Sequence, residues 1–249
     1  MISGFGLRIS RVVERVVPDP FVIAIFLTLV TVIAALLWGD FGDQSPYIGV
    51  LDSWRDSSSG MWKLLAFSMQ MCLILVTGYA LATTSLVRAM IHRLAAIPTS
   101  TAAAAAIVGL VACICGLVNW GLGLIVGALL AREVGFSMQR RNKPCHYPLI
   151  AAAGYVGLLV WHGGLSGSAP LSMTTRLGAE KVIPTHFIEQ LESISLSSSI
   201  GSPMNLLISG GLVLLIPTVL ASLAPKNTTD IRPIETFGVD PGGGQEPIQ

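Results

Sequence analysis

The sequence predicts an all-α integral membrane protein, a multi-span helical bundle in which a re-entrant hairpin and a broken helix interrupt the apolar runs. Three observations lead there. Of the 249 residues, 52% are hydrophobic and only 12% charged, with a mean hydropathy of +0.70, whereas soluble domains run near 25% charged. Apolar runs long enough to cross about 30 Å of hydrocarbon recur along the chain. Two of those runs carry residues that an ordinary helix in lipid does not tolerate. The net charge of +1 offers no concentrated basic surface, so nucleic acid is not an expected partner.

Residues 1–19 predict an interfacial amphipathic helix. Phe5, Leu7, Ile9, Val12, Val13 and Val16 alternate with Arg8, Arg11 and Arg15, which sets a basic side toward anionic headgroups. A plain cytoplasmic tail is the other reading. Pro18-Asp19-Pro20 ends this element and opens the membrane domain, 20–224. Its first span, 20–38, holds no charge and closes on Trp38, a residue type that favours the interface. That run is about nineteen residues long and no small-residue cleavage pattern follows, so it does not read as a signal peptide. A polar, acidic loop covers 39–61. The second span, 62–87, lies between Trp62 and the basic group Arg88, His92 and Arg93. Gln70 within it is costly unless it meets a partner, either another helix or a transport path.

The apolar stretch 98–131 is too long for one span and short for two. Its middle carries Gly116, Asn119, Gly121 and Gly123, and both flanks are basic, with Arg88 and Arg93 before it and Arg132, Arg140, Arg141 and Lys143 after it. Basic loops stay in the cytoplasm. Entry and exit on one side predict a re-entrant hairpin with its tip near Asn119 and arms of about fifteen residues, each rising about 22 Å. A single long tilted helix is the alternative, and it would place one basic cluster outside.

A broken span, 147–177, follows. Its break is Trp161-His-Gly-Gly-Leu-Ser-Gly-Ser-Ala-Pro-Leu171. Each glycine costs a helix roughly 1 kcal/mol and the proline about 3. Unwound backbone at membrane depth is tolerated only where protein buries it or it lines a wet cavity. An extramembrane loop is the other reading of the same residues. The segment 176–199 is polar and mixed in charge, including Lys181, Glu189 and Glu192, and a last span, 203–224, begins at Pro203 with Asn205 in its first turn. Residues 225–249 read as a disordered polar tail. The N-terminus, 88–97, 132–146 and the tail are expected in the cytoplasm, and 39–61 and 176–199 outside.

No catalytic constellation is present. The spans hold no paired carboxylates, no HExxH and no GxSxG, so an enzyme is not expected. Cys72, Cys113, Cys115 and Cys145 lack metal-ligand spacing, and neither a metal nor a cofactor is expected. Half-helix N-termini at the two interruptions would present free amides suited to a carboxylate. The expected binding residues are Asn119, Gly121 and Gly123 at the hairpin tip and Ser166, Gly167 and Ser168 in the break. Unwound carbonyls near Asn119 and Ser166 could hold Na⁺ instead. Asn119, Ser166 and Ser168 could equally be simple helix caps. His162 has a proton-relay reading, since imidazole titrates near 6.5, and a structural one as a hydrogen-bond donor beside Trp161.

Three separated motifs carry a family resemblance. Trp62-Lys-Leu-Leu-Ala-Phe-Ser-Met-Gln-Met71, the run from Asn119-Trp-Gly-Leu-Gly through Ala131-Arg-Glu133, and Gly163-Gly-Leu-Ser-Gly-Ser-Ala-Pro-Leu171 resemble the bacterial short-chain fatty acid transporters. Pro18-Asp19-Pro20 after a basic helix fits too. The resemblance implies secondary transport of monocarboxylates such as acetate, acetoacetate or butyrate across the inner membrane, and a coupling ion, Na⁺ or H⁺, is a separate expectation. It implies a fold of two inverted repeats, each with a re-entrant hairpin and a broken helix, of which this chain resembles the first. Members of that family are nearly twice this length. A second-repeat polypeptide or a homo-oligomer is therefore an expected partner, beside membrane lipid. A non-transporting subunit or a truncated fragment is the alternative.

Overall fold

The computed structural model describes residues 2–56, 60–82, 84–180, 183–184, 187 and 193–239. Lys181, Glu189 and Glu192 of the expected outer loop, and residues 240–249 of the tail, lie outside them. The described residues are helical with no strand. Among the described residues, six segments are long and apolar enough to cross a membrane: Pro20–Trp38, Leu64–Leu81, Thr101–Val118, Trp120–Arg140, Tyr147–Met173 and Pro203–Leu223. The chain divides into two units, residues 5–76 and residues 1–4 with 77–249.

In the first unit, α1 spans Ile2–Val16 and α2 spans Pro20–Trp38. Asp19 caps α2, its carboxylate accepting from Phe21 N–H at 2.8 Å, while Pro20 sits at the first helical position, where its missing N–H costs nothing. Thr28 and Thr31 turn their hydroxyls back onto the carbonyls of Ala24 and Leu27, which hides those polar groups within an apolar helix. A third helix, α3 (Pro46–Arg55), lies inside the expected acidic loop. The long helix α4 (Lys63–Ala82) carries the second apolar run and ends five residues earlier than the expected 87.

In the second unit, α5 (Ser85–Ala96) takes up the basic stretch after α4. It is followed by α6 (Thr101–Val118) and α7 (Trp120–Arg140), which meet at Asn119. The single-long-helix alternative is thereby excluded, since Asn119 is extended, at φ −154° and ψ 129°. The arms are 18 and 21 residues, about 27 and 32 Å, not the fifteen residues expected. For α7 the reason is that the helix does not stop with the apolar run at Ala131. It continues through Arg132 and Glu133 to Arg140, and long basic side chains let a helix extend past its apolar part.

Helix α8 covers Tyr147–Tyr155 and then tightens into 3₁₀ turns at Val156–Leu159 and Trp161–Gly163. The break thus begins five residues before the expected Trp161. Helix α9 (Ser168–Met173) resumes it, with Pro170 in the first turn, where no donor is lost. A single turn, α10 (Arg176–Ala179), precedes the final long helix, α11 (Pro203–Leu223), capped by Ser202.

Helix α6 is the centre of this unit. Ala104, Ala105, Val108 and Cys113 are fully buried in one cluster with Leu130, Ala131, Val134 and Met138 of α7, Ile150 and Ala153 of α8, and Ile216 and Leu220 of α11. Small side chains let helices approach closely where lipid supplies no hydrophobic drive between them. Gly116 and Gly157 illustrate it: a Cβ on Gly116 would lie 2.6 Å from the Gly157 carbonyl.

The polar tail is a correction. Residues 225–239 are packed, with 3₁₀ turns at Thr228–Asp230 and Ile234–Phe237. Ile234, only 1% exposed, seats against Gly135 and Tyr147. Arg232 exchanges backbone bonds with the α8 cap: its carbonyl accepts from Tyr147 N–H at 2.9 Å and its N–H donates to His146 Nδ1 at 3.2 Å. Ile234, these two hydrogen bonds, the Gln139–Glu235 hydrogen bond and the Tyr147–Phe237 ring pair hold a strap that its polar composition conceals.

Candidate functional site

The site follows from where the two helix interruptions meet. Asn119 ends α6 and caps α7. Its Oδ1 accepts from Gly121 N–H at 3.0 Å and Leu122 N–H at 3.2 Å, and its carbonyl takes the Gly123 amide. The break crosses to this tip. Ser166 Oγ accepts from Trp120 N–H at 3.0 Å, and Leu165 N–H donates to the Leu117 carbonyl at 2.7 Å. Gly164 is needed for that crossing, since a Cβ there would lie 2.6 Å from Leu117 Cα. The rings of Trp120 and Trp161 lie 6.2 Å apart, and the His162 ring stacks on Trp161 at 3.7 Å.

This geometry corrects one expectation. The amides at the start of α7 are not free for a carboxylate, because Asn119 Oδ1 and Ser166 Oγ already take them. What the tip retains for a ligand is a set of neutral donors, the Asn119 Nδ2–H₂ group and the Ser166 hydroxyl proton, beside two indole faces. Neutral hydrogen-bond donors next to apolar surface suit a small anion that carries an alkyl part.

The expected residues separate into two groups. Asn119 and Ser166 come together through Trp120, with Asn119 exposed and Ser166 half-buried. Gly121 is buried in the first turn of α7. Gly123 is a packing residue, for a Cβ on it would lie 2.7 Å from Gly116 Cα. Gly167 is buried and turned toward the His162 carbonyl carbon, 3.1 Å from a Cβ built there. Ser168 is exposed at the start of α9, and His162 is exposed. Two contributors were missed. Asn205 Nδ2 donates to the Gly163 carbonyl at 2.9 Å and to Ile200 at 2.7 Å, and Ser209 Oγ donates to Asn205 Oδ1 at 3.2 Å. Their signal was present as two polar residues one turn apart on the apolar helix 203–223.

Comparison with known proteins places the chain in a family. The family model described as "Short chain fatty acid transporter" matches residues 1–240. A protein of Escherichia coli (strain K12), named "Putative short-chain fatty acid transporter", is 37% identical over 244 residues, covering 97% of this chain and 49% of that protein. One of the same name from Haemophilus influenzae (strain ATCC 51907 / DSM 11121 / KW20 / Rd) is 36% identical over 246 residues, covering 97% and 50%. The chain spans about half the length of these curated relatives. No solved structure matches it. With its all-helical fold and six apolar spanning segments, the chain is a membrane protein that belongs to the short-chain fatty acid transporter family.

Proposed function

We propose that this chain forms the substrate-facing half of a secondary transporter that moves short monocarboxylates, of the acetate, acetoacetate and butyrate kind, across the bacterial inner membrane. The observation that carries the reading is the junction of the hairpin tip with the helix break through Trp120 N–H and Ser166 Oγ. Asn119 and Ser166 donate to the carboxylate, with Ser168 at the mouth. Gly121, Gly123 and Gly167 keep the backbone close enough for that approach. His162 serves as a proton relay or a hydrogen-bond donor, and the coupling ion is Na⁺ or H⁺. The hairpin enters and leaves on the cytoplasmic side, and the N-terminus and the tail lie there also. This orientation rests on the basic flanks at Arg88, Arg93, Arg140, Arg141 and Lys143.

A second reading is favoured by the half-length match to the relatives. In it the chain is a subunit that moves no solute until a second-repeat polypeptide, or another copy, joins it.

Uptake of labelled butyrate into proteoliposomes decides between them, with inward Na⁺ and H⁺ gradients imposed in separate runs. Saturable uptake by the chain alone, competed by acetoacetate and not by citrate, supports the first reading, and the effective gradient names the ion. Flux only after a second polypeptide is added supports the second. Ser166→Ala should raise KM about tenfold, the worth of one charge-assisted hydrogen bond of roughly 1.5 kcal/mol. An unchanged KM in Ser166→Ala and Asn119→Ala removes the site assignment.

A further inference from the structure

We propose that Asn205 and Ser209 on α11 are positioning residues that set the conformation of the helix break and, through it, the place of Ser166. The inference rests on the transport reading for its consequence, and on geometry alone for the latch itself. Every polar atom of the Asn205 side chain is engaged. Nδ2 donates to the Gly163 and Ile200 carbonyls, and Oδ1 accepts from Ser209 Oγ. The Asn205 backbone N–H is held by Ser202 Oγ at 3.2 Å. Ser209 is buried, at 8% exposure, on a helix that otherwise shows mostly apolar side chains.

Gly163 makes the approach possible. A Cβ there would overlap Ser209 Oγ and lie 2.6 Å from Asn205 Oδ1. A backbone carbonyl in an unwound segment at membrane depth must find a donor, and Asn205 is that donor for Gly163. Two and three residues on, the break is held by the Leu117 carbonyl and the Trp120 amide of the hairpin. Residues 163–166 are therefore clamped between α11 and the hairpin tip. Any movement of the tip relative to α11 has to open one of the two grips. Losing the α11 grip frees the break without removing a group that meets the substrate.

The test reads the break directly. A reporter thiol is placed inside the break by Val160→Cys, a position 2% exposed, in a Cys72→Ser background, since the other native cysteines described are buried or half-buried. Its labelling rate by a soluble maleimide in detergent is divided by that of an Ala153→Cys reporter, which is fully buried in α8. Asn205→Ala should raise this ratio about tenfold. Asn205→Asp should raise it equally, because the carboxylate cannot donate to the Gly163 carbonyl. Gly163→Ala, whose new methyl group must push the latch aside, should do the same. General loosening would speed both reporters and leave the ratio unchanged. An unchanged ratio in any of these variants that stays monodisperse with unaltered helix content overturns the proposal. In the flux assay Asn205→Ala should raise the KM for butyrate with a smaller effect on the maximal rate. Absence of flux in the parent chain would count against the transport reading only, and the labelling ratio would still decide the latch.

Discussion

Arg141 gives the sharpest stability prediction. It follows α7 directly, and its guanidinium reaches the C-terminal end of α5. Nη1 donates to the Ala96 carbonyl at 2.8 Å, Nη2 to Ala95 at 3.3 Å and to Pro98 at 2.9 Å, and Nε to Ser137 at 3.1 Å. The last carbonyls of a helix have no partner within it, and a cation there also meets the negative end of the helix dipole. The Ala96 bond is exposed and contributes about 0.5 kcal/mol, while the three part-buried bonds contribute about 1 kcal/mol each. Holding an arginine still costs roughly 1.5 kcal/mol. Arg141→Ala should therefore destabilise the fold by about 2 kcal/mol. Arg141→Lys keeps the charge but reaches only one or two carbonyls, so it should recover about half of that. Equilibrium unfolding in mixed detergent micelles measures both. An Arg141→Ala variant within about 0.5 kcal/mol of the parent, or full recovery by lysine, would refute the fork geometry as the cause.

Other outcomes follow from the packing and the strap. Gly127→Ala would drive a methyl group to 3.0 Å from the Gly154 carbonyl carbon. It should cost about 1–3 kcal/mol by overpacking, and a Gly127→Ala, Gly154→Ala double variant should cost less than the sum. The same unfolding assay checks this, and additive costs would mean that the two glycines do not share one contact. Ile234→Ala should cost about 2–5 kcal/mol and expose the strap to limited proteolysis near Arg232. A cleavage rate like the parent's would show that the strap is held by its hydrogen bonds alone. His146 makes the strap sensitive to acid. Burial, with the Arg232 charge second, holds its imidazole below the usual 6.5. The unfolded chain then takes up its proton first as pH falls, so stability is full above about pH 6.5 and declines below it. In His146→Asn, whose Oδ1 can accept from Arg232 N–H without titrating, that decline should disappear, and a decline that persists would assign the acid sensitivity to another group.

The membrane class, the positions of the long helices and the existence of two interruptions were legible in the sequence because local free energies decide them. Charge and unpaired backbone are costly in lipid whatever the neighbours. Asn119 and Pro203 likewise mark helix ends by their own chemistry. The arm lengths were less legible, because the end of an apolar run is not the end of a helix where basic side chains such as Arg132 and Arg140 can extend away from it. What happens at the interruptions depended on partners distant in the chain. The Trp120 amide goes to Ser166, 46 positions away, and the Gly163 carbonyl to Asn205, 42 positions away. No local pattern distinguishes an amide left open for a carboxylate from one already satisfied by a serine across the fold. The strap was hidden for the same reason, since one buried isoleucine in a polar tail counts for little in composition and for much in packing. Solvation acts on each segment separately, so the residues alone show which runs are apolar enough for lipid and that two of them are interrupted. Pairing is a property of two segments and of the space between them, so which interrupted ends meet and which polar groups are already taken emerges only when the chain is folded.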